Sequence, residues 1–236
     1  MQIIGHRGAR GEAPENTLGG FRYLHDLGIR AVEFDVRQLS DQQLVVIHDD
    51  NFLRTTGHNQ LVEPLCIGDL CYYDHRHTWQ DWPQQEPTPT LQQALDILKD
   101  FRHLEVEVKS VKDDATAERL VQRLETTLAG LEKIATITSF DTKILSALQK
   151  NQSIFKRGLL IELPFGEYAI ESALQYGCSR IGWKDQLASA ALIKATQQAN
   201  LDVSVWTVND LDRAKQLRDL GINGLITDYP KLMQQL

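Results

Sequence analysis

The chain has 236 residues, 42% of them hydrophobic and 24% charged, and its 32 acidic side chains against 25 Lys and Arg give a formal charge of −7. That length and balance describe a folded globular protein able to bury a full core. They argue against a disordered polymer and against a protein that grips nucleic acid by neutralising phosphate over a broad face, and no segment approaches the roughly 20 apolar residues of a membrane span. Cys66, Cys71 and Cys178, an odd count without a CxxC pair, indicate neither a disulfide framework nor a zinc site. The first five residues carry no basic lead and no long apolar run, so no secretory leader is expected and the protein is expected in the cytoplasm.

Along the chain, short apolar runs alternate with longer amphipathic stretches. The runs fall at 2–5, 31–34, 104–108, 134–138, 158–161, 180–182, 203–206 and 224–227. Each has the length and the β-branched or apolar content of a buried parallel strand. Between them the periodicity predicts helices at 17–27, 90–98, 114–128, 141–150, 167–176, 188–199 and 209–220, several opening at Asp, Asn or Thr and closing near Gly, with a short last helix at 230–236. Eight strands and the helices between them fit a (β/α)8 TIM barrel forming one domain over 1–236, with a doubly wound open sheet as the alternative. Residues 37–89 are too many for a plain loop. They read as a small insertion after the second strand, on the barrel rim, with two possible strands at 43–48 and 61–66 and a wet aromatic stretch at 72–79.

Barrel chemistry gathers at the C-terminal ends of the strands. There the second strand carries Glu33 and Asp35, and the third carries Glu105, Glu107 and Lys109, charges that are costly inside apolar runs unless paired or metal-bound. Alternate residues share a face about 6.6 Å apart, so Glu33 and Asp35 reach one point and Glu107 and Lys109 join them from the next strand. Three crowded carboxylates raise one another's pKa, and a hard divalent cation, Mg²⁺ or Ca²⁺, removes the conflict. The plainer alternative pairs Glu107 with Lys109 and leaves Glu33 a solvated rim charge. His6 and His48 each end an apolar run beside this cluster, where imidazoles can take or give a proton. His25, His58, His75, His77 and His103 lack such neighbours and read as surface or rim residues. Arg7 suits bidentate contact with phosphate and Lys109 acts as a point charge. Gly5, Gly8 and Gly11 would permit close backbone approach to an anion, a weak signal. By pattern, Glu15, Asn16 and Thr17 are simply a helix start.

Taken together, His6-Arg7-Gly8, Pro14-Glu15-Asn16-Thr17, Glu33-Phe34-Asp35-Val36, His48-Asp49, Arg54-Thr55-Thr56-Gly57, Pro89-Thr90-Leu91, Glu107-Val108-Lys109, Ser139-Phe140, Trp206-Thr207-Val208-Asn209 and Thr227-Asp228-Tyr229-Pro230 form an ordered set. The chain resembles the glycerophosphodiester phosphodiesterase family over nearly its whole length. The resemblance implies a TIM barrel and hydrolysis of a small glycerophosphodiester to sn-glycerol 3-phosphate and an alcohol, with a divalent cation and without nucleic acid or membrane as partner. It further implies Glu33, Asp35 and Glu107 as metal ligands and His6 and His48 as general base and acid. Arg7 would hold phosphate with Lys109 close by, Glu15 would line the site, and Phe140 and Trp206 would wall the glycerol. Glu105, one layer deeper, stays outside the metal set. The loop Asp50-Asn51-Phe52 departs from the usual pattern, which bears on alcohol preference. Two other readings remain at this point: a Mg²⁺-dependent barrel that abstracts a proton beside a carboxylate, and a silent binding protein on an inherited barrel.

Overall fold

A computed structural model describes residues 1–236. In chain order the elements are β1 (Gln2–His6), α1 (Leu18–Asp26), β2 (Ala31–Gln38), β3 (Leu44–Val46), α2 (Leu53–Thr56), α3 (Leu91–Leu98), β4 (His103–Val108), α4 (Asp114–Thr127), β5 (Ala135–Ser139), α5 (Thr142–Lys150), β6 (Lys156–Ile161), α6 (Tyr168–Gln175), β7 (Arg180–Lys184), α7 (Ala190–Gln198), β8 (Asp202–Trp206), α8 (Leu211–Asp219), β9 (Gly224–Thr227) and α9 (Pro230–Met233). The strands run in the order β1-β9-β8-β7-β6-β5-β4-β2-β3, and β1 also pairs with β2. That last pairing closes eight parallel strands into a barrel and removes the open-sheet alternative. β3 is extra; it lies antiparallel on the overhang of β2, with Val36 opposite Val46 and Gln38 opposite Leu44.

Strand alternation explains where the core lies. On β2 and β4, Val32, Phe34, Val36, Leu104, Val106 and Val108 point outward and join the helices in one core of 47 buried residues. The inward positions between them are Glu33, Asp35, Glu105 and Glu107. The lumen holds a small apolar plug, Ile4, Ala31 and Ile226, with Trp206 against it. Beside that plug Glu105, fully buried, accepts from Arg180 Nη1 at 2.9 Å and lies 3.2 Å from His103 Nε2. It is therefore engaged below the mouth.

Helix starts follow from their capping residues. Thr17 accepts from the Gly20 amide, Asp113 from Thr116, Asp141 from Lys143, Ser189 from Leu192 and Asp210 from Arg213, while Thr90 and Gln93 form a reciprocal capping box. No helix is long and apolar enough to cross a membrane.

The segment between β2 and α3 differs from expectation in two places. Of its two expected strands, the first is β3, but 61–66 is no strand: Leu61 makes one isolated bridge to Asn51, and a 3-10 turn follows at Ile67–Tyr72. Pro64 lacks the N–H that a ladder needs. Val62 instead packs into a local cluster with Leu39, Val45, Ile47, Phe52 and Leu70. The second correction is His75, which is buried, 3% exposed, rather than at the rim. Its Nδ1 is 2.9 Å from Thr55 Oγ1 and its Nε2 2.7 Å from Thr88 Oγ1. Burial pushes its pKa down to about 4. The stretch around it is accordingly less wet than its composition suggests. His58 and His77 are exposed, as expected, and His25 and His103 half-buried. Glu86 ties this segment to the barrel by accepting from the Gly19 amide at 2.9 Å and from Trp82 Nε1 at 3.0 Å.

Candidate active site

Strand register brings the acidic residues together. His6 on β1 lies opposite Glu33 on β2, and Asp35 opposite Glu107 on β4. Glu33, Asp35 and Glu107 each turn a carboxylate oxygen to a common point, the three atoms lying within 4.8 Å of one another. All three are buried, and Glu33 Oε1 has no hydrogen-bond partner. Burial and the neighbouring charges of Asp35 and Glu107 raise Glu33 well above the usual carboxylate range, and burial with the Asp35 charge pushes Glu107 up to about 7. Burial would also raise Asp35, but Lys109 and Arg7 override it and hold that carboxyl far below its ordinary value. An all-oxygen, crowded set with an orphaned buried oxygen fits a hard divalent cation. The ion pair of Lys109 with Glu107 foreseen as the alternative also forms, and Lys109 Nζ stands 2.6 Å from Asp35 Oδ1. The other half of that alternative does not hold, because Glu33 is buried and not a solvated rim charge.

Arg7 is the second cation. Its amide donates to Glu33 Oε2 at 3.0 Å, its Nη1 to Glu15 Oε1 at 2.9 Å, and its Nε lies 3.3 Å from Asp35 Oδ2 without a well-directed bond. Glu15 is not a first-turn helix carboxylate. It is buried and held by Arg54, whose Nη1 and Nη2 reach it at 2.6 and 2.8 Å, as well as by Arg7. Burial favours its neutral form, yet the hydrogen bonds and charge of Arg54 and Arg7 bring its pKa down to about 2.

Both histidines stand beside this cluster with a carboxylate behind the ring. His6 Nδ1 is 2.6 Å from Asp228 Oδ1, and its Nε2 3.8 Å from Glu33 Oε2. Burial lowers the His6 pKa, against the raising effect of the Asp228 hydrogen bond. With the Nδ1 proton donated to Asp228, Nε2 keeps its lone pair toward the mouth; that tautomer is assigned from the hydrogen bonds. His48 follows β3, and its Nδ1 is 2.7 Å from Asp49 Oδ1. Phe140, after β5, meets Trp206 edge to face at 5.4 Å, and Trp206 Nε1 donates to the Gly182 carbonyl.

Five residues of the site escaped assignment from pattern: Asn16, Asp228, Asn209, Asp49 and Arg54. Asn16, read as part of a helix start, donates from Nδ2 to Asp35 Oδ2 at 2.7 Å, while Thr17 alone caps α1. Arg7 and Asn16 both have left-handed φ, 51° and 55°, uncommon for non-glycine residues and characteristic of functional turns. Asp228 backs His6 and is itself held by Asn209 Nδ2 at 2.9 Å. Asp49 backs His48 and accepts from Arg54 Nε at 2.8 Å. The signal available was a carboxylate beside each histidine motif, adjacent in sequence for Asp49 but 222 residues away for Asp228. Two of these glycines, Gly5 and Gly11, serve packing. A Cβ on Gly5 would lie 1.9 Å from the Gly8 carbonyl and one on Gly11 2.5 Å from Tyr229, so they permit the chain to pack on itself.

The profile of the glycerophosphoryl diester phosphodiesterase family matches residues 6–232. A glycerophosphodiester phosphodiesterase of Caldanaerobacter subterraneus is 26% identical over 238 residues, covering 99% of this chain and 96% of its own. One from Bacillus altitudinis is 26% identical over 239 residues, covering 97% and 95%. Among solved structures, a phosphodiesterase of Oleispira antarctica in complex with the product sn-glycerol-3-phosphate superposes with a TM-score of 0.89 at 25% identity, over 100% of this chain and 96% of that one.

Proposed function

The chain belongs to the glycerophosphoryl diester phosphodiesterase family, and from that premise we propose that it hydrolyses small glycerophosphodiesters to sn-glycerol 3-phosphate and an alcohol, using a divalent cation and a pair of histidines. The observation that carries this reading is the meeting of Glu33, Asp35 and Glu107 within 4.8 Å, beside Arg7 and Lys109. Glu33, Asp35 and Glu107 would hold the ion, Mg²⁺ or Ca²⁺; when bound it supplies charge stabilisation to the phosphoryl oxygens as the transition state forms.

The remaining chemistry belongs to the side chains. Arg7, kept in place by Glu15, presents its guanidinium to a non-bridging oxygen, and Lys109 adds a fixed positive charge. His6, with Asp228 behind its Nδ1, takes the nucleophile's proton at Nε2. His48, with Asp49 behind its Nδ1, gives a proton to the departing oxygen. In a two-step route the two exchange parts. Phe140 and Trp206 cover the carbon face of the glycerol and exclude water there. Lending His48, Asp49 and Arg54 to this site, the inserted segment acts as part of one unit with the barrel, in a protein expected to work in the cytoplasm on a water-soluble substrate.

Replacing either His6 or His48 with Ala should lower kcat at least about 10³-fold while leaving circular dichroism and Tm unchanged. Near wild-type turnover in either variant refutes the acid–base pair.

A further inference from the structure

A groove of about 730 Å³ opens beside the catalytic centre, between the overhang of β2 and the start of α4. It begins at Lys109, the residue that pairs with Asp35 and Glu107. Its lining includes three further cations, Arg37, Lys112 and Arg119, and two acids, Asp50 and Glu63. Arg37 donates from Nε to the carbonyl of His48 at 3.0 Å, so a side chain that lines the groove also touches the backbone of His48. Arg119 gives a hydrogen bond to Thr116 Oγ1 at 3.1 Å, and neither it, Arg37 nor Lys112 stands within 4.0 Å of a carboxylate. In a chain of net charge −7, cations left without partners in one cleft make a local positive field that the molecule as a whole lacks. Neither Phe140 nor Trp206 lines the groove: Trp206 ends β8, across the barrel from β4, and Phe140 follows β5, the strand next to β4, so the apolar wall and this groove are separate surfaces of the mouth.

Resting on the function proposed above, we infer that this groove receives the alcohol half of the substrate and selects alcohols that carry a second phosphoryl group over neutral or cationic ones. The volume admits a ring-sized polyol with its phosphate. Arg37 lies nearest His48, while Lys112 and Arg119 on the α4 side meet the far end. A quaternary ammonium would find only Asp50 and Glu63 there, against three cations.

Glycerophosphoinositol and glycerophosphoinositol 4-phosphate differ only by that second group, and steady-state kinetics on the pair tests the inference. The wild type should show a kcat/KM about five- to tenfold higher for the phosphorylated substrate, expressed in KM, and the advantage should shrink between 0.05 and 0.5 M salt, as roughly expected for exposed charges. The variant K112E/R119E changes two exposed residues outside the catalytic machinery. It should erase the advantage while kcat/KM for glycerophosphoinositol stays within about twofold. Equal KM values in the wild type, or an advantage that survives the double reversal, overturns the inference and leaves the phosphodiesterase reading standing. Absence of turnover with both while glycerophosphocholine is hydrolysed also overturns the inference; absence with all three removes the phosphodiesterase reading, and the inference with it.

Discussion

At the residue scale, the site works by giving every charged group a partner that fixes its orientation. Asp228 is the clearest case. It is 2.6 Å from His6 Nδ1, is gripped on its other oxygen by Asn209, and is held below its ordinary pKa against burial by the His6 bond. Asp228→Asn keeps the shape but lets the ring adopt the other tautomer. It should lower kcat on the order of 10²-fold with KM within about threefold, read by steady-state kinetics. A loss confined to KM would mean that Asp228 shapes the pocket and does not orient the ring. Arg54 has a comparable position between Asp49 and Glu15, joining the His48 side of the site to Arg7. These supports were the least legible part of the sequence. The acidic triad could be read because Glu33, Asp35 and Glu107 break apolar strands, whereas Asp228 and Asn209 lie in polar loops and Arg54 in the short α2 of the inserted segment, where a polar side chain looks ordinary.

At the element scale, strands and helices were legible because each obeys one period and most helices open at a capping side chain. The segment between β2 and α3 obeys neither period, and both fold corrections fall in it. Its attachments are side chains packed into backbone. A Cβ on Gly19 would lie 2.0 Å from Glu86 Oε1, so Gly19→Ala should cost about 1–3 kcal/mol in urea unfolding by pushing Glu86 off the start of α1. A neutral effect would show that the tie is slack. His75 supplies a pH signature for the same segment. Its pKa is about 4 when folded and about 6.5 when unfolded, so the unfolded state binds the proton more readily. Its contribution is complete above pH 6.5 and lost as pH falls from there toward 4. Between pH 7.5 and 5 the wild type should lose about 2 kcal/mol more than His75→Gln in urea melts. Parallel pH profiles for the two proteins would contradict the buried neutral ring.

At the scale of the whole molecule, a closed barrel of parallel strands sets its own outward face to packing and its mouth to chemistry. The fold could be read from eight apolar runs with helices between them, and its closure follows from β1 pairing with both β9 and β2. The three buried carboxylates are costly without a counter-charge, so an ion that binds only the folded state should raise stability. Adding Mg²⁺ or Ca²⁺ to chelator-treated protein should increase Tm by a few degrees, about 1–2 kcal/mol at saturating ion, and Glu33→Gln should abolish the increase. The most direct test of the central claim is release of sn-glycerol 3-phosphate from a glycerophosphodiester by protein stripped with EDTA. The account predicts no release until Mg²⁺ or Ca²⁺ is returned, and none from Glu107→Gln at the same ion concentration. Full-rate release in EDTA would contradict it.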